Sequence, residues 1–207
     1  SLHLIEDACQ SLGSAYKSKQ TGTFGLAGCF SLYASKVLTA GEGGAVATDS
    51  DELADRLRMI RNHGMVEGYD TKVFGLNLRL PELSAAVAKI QMQKLPEMLR
   101  KRRQNAEQLT ELLLPEAHKS GIVLPQETTG KAFNWYLYTV AFKKNMRDRV
   151  REKLAEEKIG ATVYYDPPAH KTPYYTEISP GTKLPNTDWC SSHVLSLPVH
   201  PWVKESD

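Results

Sequence analysis

An α/β fold is expected: a partial, mainly parallel sheet with a long helix, followed by a smaller αβ domain. Three observations predict it. Short apolar runs bounded by loop residues recur at 2–6, 29–33 and 44–48, as strands buried on both faces of a parallel sheet do. Helical spacing of apolar residues then takes over, at 53–60 and along a stretch beginning at Pro81. Past residue 120 the chain turns loop-like, and a second strand–helix–strand series begins. A boundary between about Leu114 and Phe133 divides the chain into domains of 1–119 and 120–207.

Taken in order, L-H-L-I-E at 2–6 reads as an interior strand ending at Asp7, and 8–15 as a short helical turn. C-F-S-L-Y at 29–33 and G-A-V-A-T at 44–48 read as the second and third strands. Asp49 and Glu52 form a D-x-x-E capping box for a helix whose inner stripe is Leu53, Leu57 and Ile60, with Gly64 as its stop. Pro81 suits a first helical turn. Leu83, Ala86, Val87 and Ile90, then Leu95, Leu99 and Leu109, continue the helical spacing, and Pro96 predicts a break or kink near Lys94. Beyond a loop at 120–131, residues 133–142 alternate as a strand. Asn145 is expected to cap a helix over 146–158, with Val150 and Leu154 inward and Gly160 at its end. Residues 161–165 read as another strand, and the Pro-rich stretch 166–185 as a long loop of the functional or mobile kind.

The chain has 207 residues, 41% hydrophobic and 24% charged, which suits a packed core and not a disordered polymer. No apolar run approaches the roughly 18 to 20 residues of a membrane-spanning helix. Lysine plus arginine total 26 against 24 acidic residues, too balanced for a nucleic-acid domain. The basic run Arg100–Arg103 reads as a solvated helix face before it reads as a phosphate patch. Cys9, Cys29 and Cys190 are odd in number and far apart. They form neither a disulfide framework nor a zinc ligand set, and no leader segment is visible, so a cytoplasmic location is expected. Both ends read as cuts through structure: Leu4 and Ile5 already lie in a strand, and 203–207 resembles a helix start.

Chemistry concentrates between Cys29 and Gly44. Lys36 follows an apolar strand, sits in a loop of small residues and precedes G-E-G-G, whereas surface lysines usually stand on helix faces beside carboxylates. Partial desolvation there would make its amine a nucleophile towards carbonyls. By itself, a strand-end surface lysine is the favoured explanation of the position. Asp7 ends the first strand, on the side where open parallel sheets bind ligands, and a carboxylate there could hold a pyridine nitrogen protonated. It could equally be a helix cap. Ser31 and Ser35 could offer hydroxyls to a phosphate.

In combination these residues carry a resemblance. I-E-D-A-C-Q at 5–10 and F-S-L-Y-A-S-K-V-L-T-A-G-E-G-G from Phe30 are similar to the DegT/DnrJ/EryC1/StrS family of pyridoxal-phosphate sugar aminotransferases. The likeness continues in R-N-H-G at 61–64, F-G-L-N-L-R at 74–79, L-S-A-A at 83–86 with Gln91, and S-L-P-V-H-P at 196–201, and so covers the chain. The resemblance implies a fold-type-I aminotransferase-like architecture, with pyridoxal 5'-phosphate as cofactor and no metal. Lys36 matches the lysine that condenses with the coenzyme and later shuttles a proton. Asp7 matches the partner of the pyridine nitrogen, Gln10 the residue beside the phenolic oxygen, and Ser31 a phosphate ligand. Asn77, in G-x-N-x-R, matches a residue reaching a phosphate across a dimer interface, although an asparagine also suits a left-handed turn there. His170 resembles a sugar-contacting position, against the alternative of a surface loop histidine. A family branch that dehydrates sugars carries histidine in place of the lysine, and Lys36 disfavours that branch. Cys9 falls at a position of small residues and receives no role.

The implied reaction of the complete protein moves an amino group from glutamate or glutamine to a keto sugar, and little or no transamination is expected of these 207 residues alone: the family's preceding segment, with its phosphate-holding turn and stacking aromatic ring, is not found in this sequence. The chain therefore resembles the C-terminal part of an aminotransferase. Its expected partners are the amino donor, a nucleotide-linked sugar and a second copy in a homodimer, without nucleic acid or membrane. The competing reading is a non-catalytic fragment, or a binding or regulatory module that retains the fold.

Overall fold

A computed structural model describes residues 2–143 and 146–204. The chain divides into two compact units, 1–100 with 127–136 and 101–126 with 137–207.

In the first unit, β1 (Ile5–Asp7), β4 (Ala27–Ser31) and β5 (Gly44–Ala47) form a sheet of order β1-β4-β5, preceded in the loop between β1 and β4 by a small hairpin, β2 (Ala15–Tyr16) and β3 (Lys19–Gln20). The β1–β4 pair is parallel, with Asp7 opposite Cys29, and β4–β5 is antiparallel. The expected interior strand at 2–6 is therefore an edge strand in this chain, with Ile5 64% exposed. No helix forms over 8–15. That stretch makes turns instead, because Ala8 N is taken by Cys29 O across the sheet and Thr21 N by Ser14 O.

Helix α1 (Asp51–Ile60) starts one residue later than the D-x-x-E pattern implies. Ser50 is the cap, its side chain accepting from Leu53 N, because Ser50 holds the extended backbone a cap requires. Helix α2 (Glu82–Ser120) runs unbroken through Pro96, contrary to the expected break. Proline removes one hydrogen bond in a helix interior. Flanking packing offsets it: Ala88 and Leu95 lie on the cluster of Leu32, Leu38 and Ala40. Strand β6 (Lys131–Ala132) pairs with β2, outside the predicted pattern.

In the second unit, β7 (Tyr138–Ala141) pairs antiparallel with β8 (Val194–Leu197). Tyr138, Val140, Phe142, Leu195 and Val199 are among its buried apolar side chains. The predicted strand over 133–142 is thus only its second half. Its first half turns, with Trp135 at φ +50° and Asn134 bonded to distant loop backbone. Helix α3 (Arg147–Glu156) occupies the expected place, and its proposed cap Asn145 lies outside the described residues. The strand expected at 161–165 reduces to a bridge between Thr162 and Ser196. The supposed loop 166–185 holds a 3-10 turn at Ala169–Lys171 and α4 (Pro173–Ile178), and is followed by α5 (Pro185–His193). Pro173 and Pro185 each occupy a first helical turn, so prolines read as loop formers are helix starters here. Among the described residues no helix is long and apolar enough to cross a membrane.

Candidate active site

The site in the first unit begins with the neck of a loop. Leu32 N donates to Gly43 O (2.9 Å), Ala40 N donates to Leu32 O (2.9 Å), and Thr39 Oγ1 donates to the same oxygen (3.2 Å). Gly43 sits at φ +125°, a backbone region where side chains are strained. Within this closed loop Lys36 N donates to Tyr33 O (3.0 Å), and Val37 and Leu38 are buried. The two apolar side chains anchor the loop inward and leave Lys36, half-buried, on its outer side.

A cavity at the carboxyl ends of β1 and β4 is lined by Gln10, Ser31, Lys36, Asn134 and Tyr136, with Cys9 and the loop's apolar residues completing it. Asp7 lies beside it. Its Oδ1 accepts from Cys9 N at 3.1 Å. The Cys9 thiol, and then this amide, hold the Asp7 carboxyl below the usual carboxylate range, and the Lys36 ammonium adds to the effect. Burial pushes the Cys9 thiol up, reinforced by the carboxylate of Asp7. The result is an anionic aspartate beside a protonated thiol, with the Lys36 ammonium acting on both through space. Ser31 Oγ accepts from Tyr33 N at 3.3 Å, which leaves its own proton for another acceptor.

On the same strand as Asp7, Glu6 fixes the loop between β3 and β4. Its carboxylate accepts from the backbone N–H groups of Gly22 (2.8 Å), Phe24 and Gly25 (3.0 Å). Burial opposes ionisation of Glu6, but these three donors outweigh it and the carboxyl lies below its ordinary range.

The structure thus brings Gln10, Ser31 and Lys36 to one cavity, with Asp7 adjoining. Asn77 stands elsewhere in the unit, exposed and bridged to Asn62, whose side-chain oxygen accepts from Arg79 Nη1 (3.0 Å). His170 belongs to the second unit, its Nε2 3.0 Å from Asp188 Oδ1 and its side chain 10% exposed. Sequence reasoning missed Asn134 and Tyr136. Both were absorbed into an apparent strand alternation, and only the unusual N-W-Y triplet offered a signal.

The donor set of amine, anionic carboxylate and hydroxyl suits a coenzyme that offers an aldehyde, a basic ring nitrogen and a phosphate. Solved structures identify the class. The chain superimposes on fold-type-I aminotransferases, with TM-score 0.91 and 35% identity to DesV of S. venezuelae in complex with a ketimine intermediate, covering 99% of this chain and 54% of that one. A DegT DnrJ EryC1 StrS aminotransferase from Brucella abortus matches with TM-score 0.87 and 33% identity, over 100% of this chain and 54% of that one.

The family model described as the DegT/DnrJ/EryC1/StrS aminotransferase family matches residues 1–207, and the chain belongs to that family. Its members are pyridoxal-phosphate-dependent aminotransferases. Similar curated proteins include the dTDP-3-amino-3,4,6-trideoxy-alpha-D-glucose transaminase of Streptomyces venezuelae, 37% identical over 98% of this chain and 53% of its own length. Another is the "Pleiotropic regulatory protein" of Geobacillus stearothermophilus, 36% identical over 99% of this chain and 55% of its own length. The chain spans about half the length of these relatives.

Proposed function

We propose that this chain carries the lysine-bearing part of a pyridoxal-phosphate aminotransferase that aminates a keto sugar, nucleotide-linked, with glutamate or glutamine as donor. The single observation that supports it best is Lys36, held outward on a closed loop at the strand ends beside an ionised Asp7.

When bound, pyridoxal phosphate supplies an aldehyde for amine exchange and a ring that accepts electron density from the substrate carbon. In this reading Lys36 offers its amine to the coenzyme and, once released, moves the proton at the substrate carbon. Asp7, kept anionic by the Cys9 donors, holds the ring nitrogen protonated. Gln10 would stand beside the phenolic oxygen, and the Ser31 hydroxyl would donate a hydrogen bond to the phosphate.

Asn77 is proposed to reach a phosphate from a second copy of the chain. Phe74, Leu76 and Leu78 around it are exposed, an apolar stretch suited to a homodimer contact. His170 as a sugar contact rests on the family resemblance alone.

Adding pyridoxal phosphate to the chain and following the absorbance of the condensed amine tests the reading. Wild type is expected to develop a stable band that borohydride discharges, and Lys36→Ala to develop none. An equal band in Lys36→Ala would end the assignment. A binding or regulatory module is the second reading, favoured by the relative described as a pleiotropic regulatory protein. It predicts a folded wild-type chain with no such band.

A further inference from the structure

The amine of Lys36 has a defined resting place. Its Nζ lies 5.2 Å from the centroid of the Tyr136 ring, within cation–π range. Among the described residues no carboxylate oxygen approaches that Nζ within ion-pair distance. The Tyr136 hydroxyl is 3.3 Å from Ser35 Oγ, the residue before the lysine, so ring and loop are tied at two points.

A lysine over a ring is not selective in itself, since Lys17, Lys19 and Lys101 lie over Tyr16, Phe24 and Trp202. The difference is how the Tyr136 ring is held. Asn134, buried, ties this segment to the loop that follows β1. Nδ2 donates to Gln10 O (2.9 Å) and Leu12 O (3.0 Å), and Oδ1 accepts from Tyr136 N (3.0 Å). Asn134 N donates to Ser14 Oγ (3.0 Å). Between Asn134 and Tyr136, Trp135 is at φ +50°, a region disfavoured for a bulky side chain, and its ring packs edge-on against Phe133 at 5.4 Å. Backbone strain and the three hydrogen bonds of the Asn134 amide together set one direction for one ring.

We propose that Tyr136 is a positioning residue that seats the Lys36 amine whenever that amine is not joined to a carbonyl compound, an inference that rests on the aminotransferase reading above. The seat holds the amine at the cavity, ready to recombine, and competes with any carbonyl for it. Asn134 aims the seat.

The test compares wild type, Tyr136→Phe and Tyr136→Leu in the 207-residue chain. Carbon–proton NMR of lysine-labelled protein reads the Lys36 ε-methylene, which the ring should displace upfield. The displacement is expected in wild type and Tyr136→Phe and lost in Tyr136→Leu. In parallel, pyridoxal phosphate condensation at Lys36 is quantified by borohydride trapping and peptide mapping. Removing the ring is expected to raise condensation about two- to fivefold, the equivalent of the about 0.5–1 kcal/mol of an exposed cation–π contact. Tyr136→Phe should stay near wild type, which a merely structural hydroxyl would not allow. A wild-type Lys36 signal without upfield displacement would overturn the seat, as would a Tyr136→Phe that moves as far as Tyr136→Leu. A displaced signal with no trapping at Lys36 would retain the seat and refute the aminotransferase reading.

Discussion

Lys36 and Lys171 each stand near an aspartate, and the molecule uses them in opposite ways. In the second unit Lys171 Nζ is 2.8 Å from Asp188 Oδ1, and His170 Nε2 is 3.0 Å from the same oxygen. That carboxyl lies below its ordinary range, chiefly through its hydrogen bond from Lys171. In the first unit Asp7 is also held below its range, but chiefly by the Cys9 thiol and amide, with Lys36 acting only through space. One region consumes its charges internally. The other secures its carboxylate with neutral donors and leaves the amine on an aromatic ring. An acid and a lysine in contact are a structural tie, whereas an acid ionised by other donors beside an uncommitted amine is the arrangement that the proposed chemistry needs.

Breaking the internally paired region should cost most. Arg147, buried, donates to Ser191 O (2.9 Å) and to Asp166 Oδ2 (2.8 Å), tying α3 to the start of the Pro-rich segment and to α5. Arg147→Ala leaves those acceptors without their donor. Because the Asp166 side chain is 43% exposed and screened by water, the loss is set at about 2–3 kcal/mol, below that of a wholly buried pair. Urea denaturation would measure it, and trapping at Lys36 should persist under native conditions.

Glu6→Ala comes next, at about 2 kcal/mol, for the loss of charge-assisted bonds to the 22–25 loop. Its pH dependence has a definite sign. A carboxyl whose folded pKa is lowered stabilises the fold above its unfolded pKa and loses that contribution as pH falls through the folded value. Glu6→Gln should therefore flatten the acid limb of a thermal-midpoint-against-pH curve, and an unchanged limb would contradict the role.

Asp188→Asn should have the smallest effect. The Asp188 carboxyl is also lowered, so its contribution likewise vanishes on the acid side, and its side chain is about one-third exposed. A slight fall in midpoint at neutral pH, disappearing in acid, is the expected curve. Unlike Lys36→Ala, this variant should leave condensation at Lys36 unaltered.

The two regions also differed in how much could be read from sequence. Short-range patterns were legible: the β5 run, the α1 stripe and the lysine loop with its following glycines lie where the local pattern put them, and β4 lies two residues earlier than its expected 29–33. Signals overruled by distant partners were not. Asn134 reads as part of an alternating strand until Gln10 O and Leu12 O, more than 120 residues away, take its amide. Pro96 reads as a helix stop until packing at Leu95 carries α2 past it. The tie of His170 to Asp188 depends on α5, a helix begun by Pro185 within what read as loop. Asp7, by contrast, was legible from its place at a strand end, though the thiol that helps ionise it was not.

The most direct measurement sets the two lysines against each other. The chain is treated with pyridoxal phosphate at limiting concentration, reduced with borohydride, digested and mapped. The account predicts label on Lys36 well in excess of Lys171, with the excess reduced by Asp7→Asn and untouched by Asp188→Asn. Label spread evenly over both lysines, indifferent to Asp7, would contradict it.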